Sequence, residues 1–206
     1  MTSLFPLKFF WEVFVTLLVI TDPPGIVPVF LGMTSSRPAT VRKRLAWQAA
    51  VVALGVIVAF ALFGRSILAY LGVELPALQA AGGLLLLLVA LELLTGRAAD
   101  PAELERTRAN VAFVPLGTPL LAGPGAIVAT MLFVQRTKSA GDVLAFAVAL
   151  IMVVLALYLA MRFSGVILRL LHDSGVELLS RIAGLLLSAI AVQLIIGAVR
   201  TIVLQS

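Results

Sequence analysis

Cysteine is absent from the chain, and histidine occurs once, at His172. Disulfides, thiolate nucleophiles and Cys-containing metal sites are therefore excluded. Neither an HExxH pattern nor a pair of histidine ligands can be drawn, and nothing else in the sequence implies a metal or an organic cofactor. Charge is scarce as well: 12% of residues are Asp, Glu, Lys or Arg, about half the usual share of roughly 25% in soluble domains. In their place the 206 residues are 62% hydrophobic, with a mean hydropathy of +1.15. Such a chain cannot cover a water-soluble surface, and the expected class is an all-α integral membrane protein with the lipid bilayer as its first partner. In a soluble chain the formal charge of +5 would suggest nucleic acid. Here the cations cluster between apolar runs, where they set orientation, and no nucleic-acid partner is expected.

A spanning helix needs about 20 largely apolar residues. Six stretches qualify, at roughly 9–33, 45–70, 76–95, 110–134, 143–161 and 181–199, within a single transmembrane domain covering 1–206. The first run lacks a small-residue cleavage site and reads as a retained span. The segment 34–44 (TSSRPATVRKR) and the stretch around His172 read as connections, with His172 a surface residue of an amphipathic segment. If the first span runs inward, one side carries Arg37, Arg42, Lys43, Arg44, Arg97, Arg106, Arg108, Arg162, Arg169 and Arg181. The other carries Lys8, Arg65, Arg136, Lys138 and Arg200, so the balance is ten against five. The positive-inside rule then places both termini outside the cytoplasm. Glu12, Trp11 and Trp47 fall near span ends and read as interfacial.

The chain also repeats itself. TDPPGIV (21–27) aligns with LAGPGAI (121–127) at an offset of 100, and FGRSIL (63–68) with FSGVIL (163–168) at the same offset. Gly83, Glu92 and Gly96 align with Gly184, Gln193 and Gly197 at an offset of 101. Each half, 9–96 and 110–199, then holds three spans, and an odd number forces the second half to enter the membrane upside down. The expectation is two inverted three-helix repeats with broken first and fourth helices, an architecture of secondary transporters whose site lies at the midplane between repeats.

The breaks are where chemistry is expected. Pro23 and Pro24 have no N–H to donate and clash with the preceding turn, while Gly25 permits angles that other residues resist. The second break carries Thr118, Gly123, Pro124 and Gly125. Backbone groups freed inside a membrane must be enclosed by protein or line a wet cavity. A half-helix beginning at Gly25 or Gly125 offers N–H groups to a carboxylate, and one ending before the break offers carbonyls to an ammonium group or cation. Two such breaks would suit a small zwitterionic or neutral solute. Asp22 has two readings: a carboxylate within a span is a functional candidate for binding substrate, proton or sodium, and Asp before Pro-Pro-Gly is also a good helix cap. Thr21, Asn110, Thr118 and Thr130 either line a cavity or bond back to their own helices. Glu92 and Gln193 are secondary candidates that either face the bundle interior or lie at its surface.

A transporter is the reading these features favour. A channel would use the same breaks as a filter but needs a polar pore stripe, which is not evident; a purely structural membrane protein is the remaining alternative. An enzyme is not expected, because no nucleophile–base pair or metal cluster can be assembled. A homo-oligomer is compatible with so small a membrane protein.

Three stretches carry a family resemblance: DPPGIVPVFLGMT (22–34), FGRSILAYLGVELPALQAAGGLLLLLVALELLTG (63–96) and VAFVPLGTPLLAGPGAIVATMLF (111–133). In combination, and above all in Asp22, Pro23, Gly25 and Pro28, the chain resembles the MarC (UPF0056, SnatA-like) family of bacterial and archaeal inner-membrane proteins. The resemblance implies six spans within the wider LysE-like transporter superfamily. It also implies transport of glycine or other small neutral amino acids, coupled to protons or sodium.

Overall fold

The computed structural model describes residues 6–34, 37–95 and 122–205. Helix α1, Leu7–Thr21, ends where two prolines follow. A residue before proline is disfavoured in the right-handed helical region, and Asp22 sits at φ 39°, ψ 70°, a left-handed conformation that Asp tolerates better than most side chains. Its N–H still closes the last turn on Leu18 and Val19, at 3.1 and 3.3 Å. Helix α2, Pro23–Thr34, starts at once, with proline at its first positions, where no N–H is missed. The break lies roughly 22 Å along the axis from Leu7 and roughly 18 Å from Thr34. The first span is thus broken between two helical pieces of similar length.

Helix α3, Ala39–Leu71, is 33 residues long. At about 1.5 Å per residue it exceeds a hydrocarbon core of about 30 Å, so its basic start projects beyond the core. The segment 34–44 is therefore not all loop: the helix begins at Ala39, directly after Pro38 and six residues earlier than the expected span, because Arg42, Lys43 and Arg44 extend it as a solvated turn. Gly72 ends α3 at φ 66°, its N–H on Ala69 O and that of Val73 on Leu68 O, the usual left-handed stop. Gly72→Ala is expected to lower stability by about 1 kcal/mol through that conformation alone, since a Cβ there meets nothing within 4 Å. Gly55→Ala, equally unobstructed within α3, is expected to be neutral or stabilising by up to about 1 kcal/mol. Thermal unfolding in detergent checks both signs.

Helix α4 spans Leu75–Thr95, α5 Pro124–Arg136, α6 Ala140–Arg162 and α7 Ser164–Gln205. Five of the described stretches are long and apolar enough to cross a membrane: Leu7–Val27, Ala39–Leu71, Leu75–Thr95, Ala140–Arg162 and Glu177–Leu204. Gly125–Arg136 is a shorter apolar helix, and the first part of the expected fourth span lies outside the described residues. The described residues are thus all-helical in their regular structure, with five spans and one shorter apolar helix. Their outer faces carry exposed Leu, Val, Ile and Phe side chains, the surface of a protein in contact with a bilayer. Helix α7 corrects the expected connection around His172, where the backbone is helical. All ten prolines lie within the first 124 residues, so nothing after Phe163 interrupts the hydrogen-bond ladder. Phe163 itself is the one non-helical residue between α6 and α7, and its carbonyl accepts from both Val166 and Ile167.

The main core joins Val13 and Leu17 of α1, Val27 and Phe30 of α2, and Ala49, Ala53 and Ile57 of α3 to Ala145, Ala149, Val153 and Leu157 of α6. Alanines spaced at one turn on α3 and α6 let those backbones approach closely. A second core, Leu86 and Ala90 of α4 with Leu187 and Ala191 of α7, lies within the most extensive helix pairing of the bundle. There, a Cβ on Gly83 would stand 2.8 Å from the Ala191 carbonyl and 2.8 Å from Ile195, and one on Gly184 3.1 Å from the Ala90 carbonyl and 3.2 Å from Leu94.

Helix direction follows from contacts at the two ends. Glu12, early in α1, pairs with Arg136 at the end of α5 (2.8 Å), so α5 runs back to the end where α1 starts. Helix α2 runs the opposite way, to the end where Ala39, Arg42 and Lys43 meet Met161 and Arg162. Helices α2 and α5 therefore run in opposite directions.

Candidate functional site

Asp22 is the centre of the first break. It is 8% exposed, and neither Oδ1 nor Oδ2 finds a hydrogen-bond partner among the described residues. Its own carbonyl accepts from Ile26 N–H at 3.2 Å. Because Pro23 and Pro24 have no N–H, Gly25 supplies the first amide of α2. The carboxylate lies over that position, and a Cβ on Gly25 would fall onto Oδ2. Glycine is required here by close approach. The carboxylate is thus placed as a cap would be, next to the Gly25 amide, yet outside hydrogen-bonding geometry. A buried carboxylate with no better-aligned donor among the described residues is costly.

Thr21 is buried but already committed, since its hydroxyl donates to Leu17 O at 2.8 Å. Thr130, on α5, is fully buried with Oγ1 unpartnered. It and Asp22 are the buried side chains among the described residues left with unbonded polar atoms. Gly123 caps α5, Pro124 opens it, and Gly125 is buried against α4, where a Cβ would overlap Leu86. Ala122 belongs to the same buried core as Ile26 and Val27, so the first break and the start of α5 border one core. Asn110 and Thr118 lie outside the described residues.

Glu92 and Gln193 both stand on exposed faces, not in the interior. The reason is rotational: the buried stripe of α4 runs through Gly83, Leu86 and Ala90, and the nine residues from Gly83 to Glu92 turn the helix by about two and a half turns, onto the opposite side.

Two features escape sequence reasoning. Ser180 of α7 approaches the first break, its Oγ 3.5 Å from where a Cβ on Gly25 would stand. A cavity of about 430 Å³ opens among α1, α4, α5 and α7, with Thr16, Gln79, Gln135 and Arg136 as its polar lining. Thr16 precedes Thr21 by roughly 7–8 Å along α1, so this cavity reaches within two turns of Asp22. Gln79 and Gln135 sit where polar residues commonly mark span ends, and only their convergence distinguishes them.

The fold and site define a multi-pass helical membrane protein whose first span is broken around a buried carboxylate. Comparison with known proteins agrees. The description MarC family integral membrane protein matches residues 7–203. A UPF0056 membrane protein of Methanocaldococcus jannaschii is 36% identical over 201 residues, covering 94% of this chain and 97% of the relative. The UPF0056 membrane protein YhcE of Escherichia coli is 29% identical over 207 residues, covering 97% and 96%. A Pyrococcus abyssi UPF0056 protein is 33% identical over 196 residues, covering 94% and 96%. No solved structure matches. The chain belongs to the MarC family of integral membrane proteins.

Proposed function

We propose that this chain is a secondary transporter of the inner membrane, moving a glycine- or alanine-like neutral amino acid or a related small solute. The carrying observation is Asp22, buried within a broken span with neither carboxylate oxygen hydrogen-bonded among the described residues. A proton or a cationic partner would stabilise such a group. That gives proton or sodium coupling and an ammonium-binding role one physical origin. The second break provides the other half: α5 begins at Gly123–Pro124, and a helix start suits a carboxylate. The cavity lined by Thr16, Gln79, Gln135 and Arg136 is the approach from the Arg136 end.

The alternating-access mechanism rests on two inverted repeats, 9–96 and 110–199. Reciprocal packing supports it. The offset of 101 that carries Gly83 to Gly184 also carries Ala90 to Ala191 and Leu94 to Ile195, and those residues are the partners each glycine meets. Leu86 and Ala90 likewise map onto Leu187 and Ala191, which complete the second core. Helix α2 packs on α6 and α7 as α5 packs on α3 and α4. With the end bearing Arg42, Lys43, Arg162 and Arg169 in the cytoplasm, both termini lie outside it.

The test is uptake of labelled glycine and alanine into liposomes holding the purified protein, with imposed proton or sodium gradients. Saturable accumulation above equilibrium is expected under one of the gradients. Equilibration without accumulation would instead indicate a channel, and no flux of either amino acid under either gradient would refute the substrate class.

A further inference from the structure

At the end opposite Arg136, four cations from three helices surround one cavity of about 320 Å³: Arg42 and Lys43 of α3, Arg162 of α6 and Arg169 of α7. Arg42 and Arg162 are half-buried, whereas Lys43 and Arg169 are exposed. None of the four has an ion-pair partner among the described residues; Arg162 lies over the Phe163 ring at 5.4 Å. The cavity floor includes Ser164 and Gly165, the first two residues of α7. Cations brought together without anions repel one another, and the arrangement calls for an anion with several acceptor oxygens.

Phe163 also lines a second groove of about 430 Å³, formed by Pro23, Pro24 and Val27 of α2, Ala156, Leu159 and Ala160 of α6, and residues of α7 including Ile167 and Leu171. The residues lining that groove are apolar throughout, and Phe163, which it shares with the basic cavity, is exposed. A free anion would use the basic cavity and leave the groove empty. An amphiphile with a phosphate at one end and a hydrocarbon chain at the other fills both.

The geometry points to a binding site for an anionic phospholipid, its headgroup phosphate held by Arg42, Lys43, Arg162 and Arg169 and an acyl chain lying in the groove against Pro23 and Pro24. Basic cavities between spanning helices are suited to such headgroups. The acyl chain would rest against the first turn of α2, the turn over which the Asp22 carboxylate lies. The lipid would thereby brace the broken span from the bilayer side. This assignment stands on the cavity and groove and does not depend on transport.

Native mass spectrometry of the intact protein, with lipid titration followed by thermal shift, tests it. Dioleoyl phosphatidylglycerol is expected to bind with about a tenfold preference over dioleoyl phosphatidylcholine, the worth of one charge-assisted contact. The double change Arg42→Gln with Arg162→Gln should remove that preference, and Lys43→Gln with Arg169→Gln, confined to exposed side chains, should reduce it without disturbing the fold. Arg65→Gln, near the far end of α3, should leave it intact. Phosphatidylglycerol binding insensitive to both double changes, or no preference over phosphatidylcholine in the unaltered protein, would overturn the site. Equal protection by inorganic phosphate, or dihexanoyl phosphatidylglycerol binding as tightly as the dioleoyl lipid, would overturn the lipid assignment by removing the groove from it.

Discussion

Replacing Asp22 by asparagine is expected to abolish gradient-driven accumulation of substrate while leaving the protein folded. Asparagine keeps the size of the side chain and tolerates the left-handed backbone found at position 22 (φ 39°) as well as aspartate does. The break itself therefore survives. What disappears is the negative charge. A charge-assisted contact is worth about 1.5–3 kcal/mol, which corresponds to roughly a tenfold to hundredfold loss of apparent affinity for the cation or ammonium group. Stability should not fall, because the change removes a buried, unpartnered carboxylate whose burial is unfavourable. Asp22→Ala separates the two roles: it removes the charge and also places a residue less tolerant of φ > 0 at the break, costing about 1 kcal/mol or more. The checks are initial uptake rates in liposomes alongside the unfolding midpoint of each variant. Full accumulation by a folded Asp22→Asn protein would leave the carboxylate with a structural role only.

The first break was legible in sequence because its cause is local. Proline twice in succession forbids the ladder whatever surrounds it, and the left turn falls on the residue before it. The apolar runs were legible for the same reason, since bilayer thickness fixes a length that hydropathy can count. Helix ends in water were less legible. Charge alone places Arg42, Lys43 and Arg44 in a connection, yet a solvated helix turn accommodates charge freely, and only the position of Pro38 marks where α3 starts. Polarity likewise suggests a connection around His172, although no proline enforces one. Glu92 was ambiguous because α4 is apolar on nearly all sides; its inner face is decided by Gly82, Gly83 and Ala90, small residues whose value lies in what they allow to approach. Ser180, Gln79 and Arg162 each became candidates only when another helix brought a partner beside them. Such information is tertiary, and no local pattern carries it.

The second large effect is expected at the glycines of that inner face. Gly83→Leu and Gly184→Leu should each lower stability by about 1–3 kcal/mol or more, the range for forcing side-chain atoms into a filled interior. For a chain of this size that is a fall of roughly 2–12 °C in the unfolding midpoint. The alanine variants should differ. At Gly83 the first added atom would stand 2.8 Å from the Ala191 carbonyl, a backbone atom that cannot swing away, whereas at Gly184 the nearest atoms are at 3.0 Å or beyond and can be met by a small shift. Gly83→Ala should therefore destabilise more than Gly184→Ala, while the leucine variants converge. If α4 and α7 are the two halves of one inverted pair, the sites are also coupled, because each glycine lies against the turn that its mate's repeat supplies. Both leucine changes would separate the same helices, and the second would cost less once the first had done so. The double variant should fall short of additivity by about 0.5–3 kcal/mol, as is usual for sites sharing a contact. Midpoints that do not move for Gly83→Leu would show that the α4–α7 pairing is not held at this separation. Strict additivity would mean that the two contacts are independent, and that the matched spacing of 101 residues has no energetic counterpart.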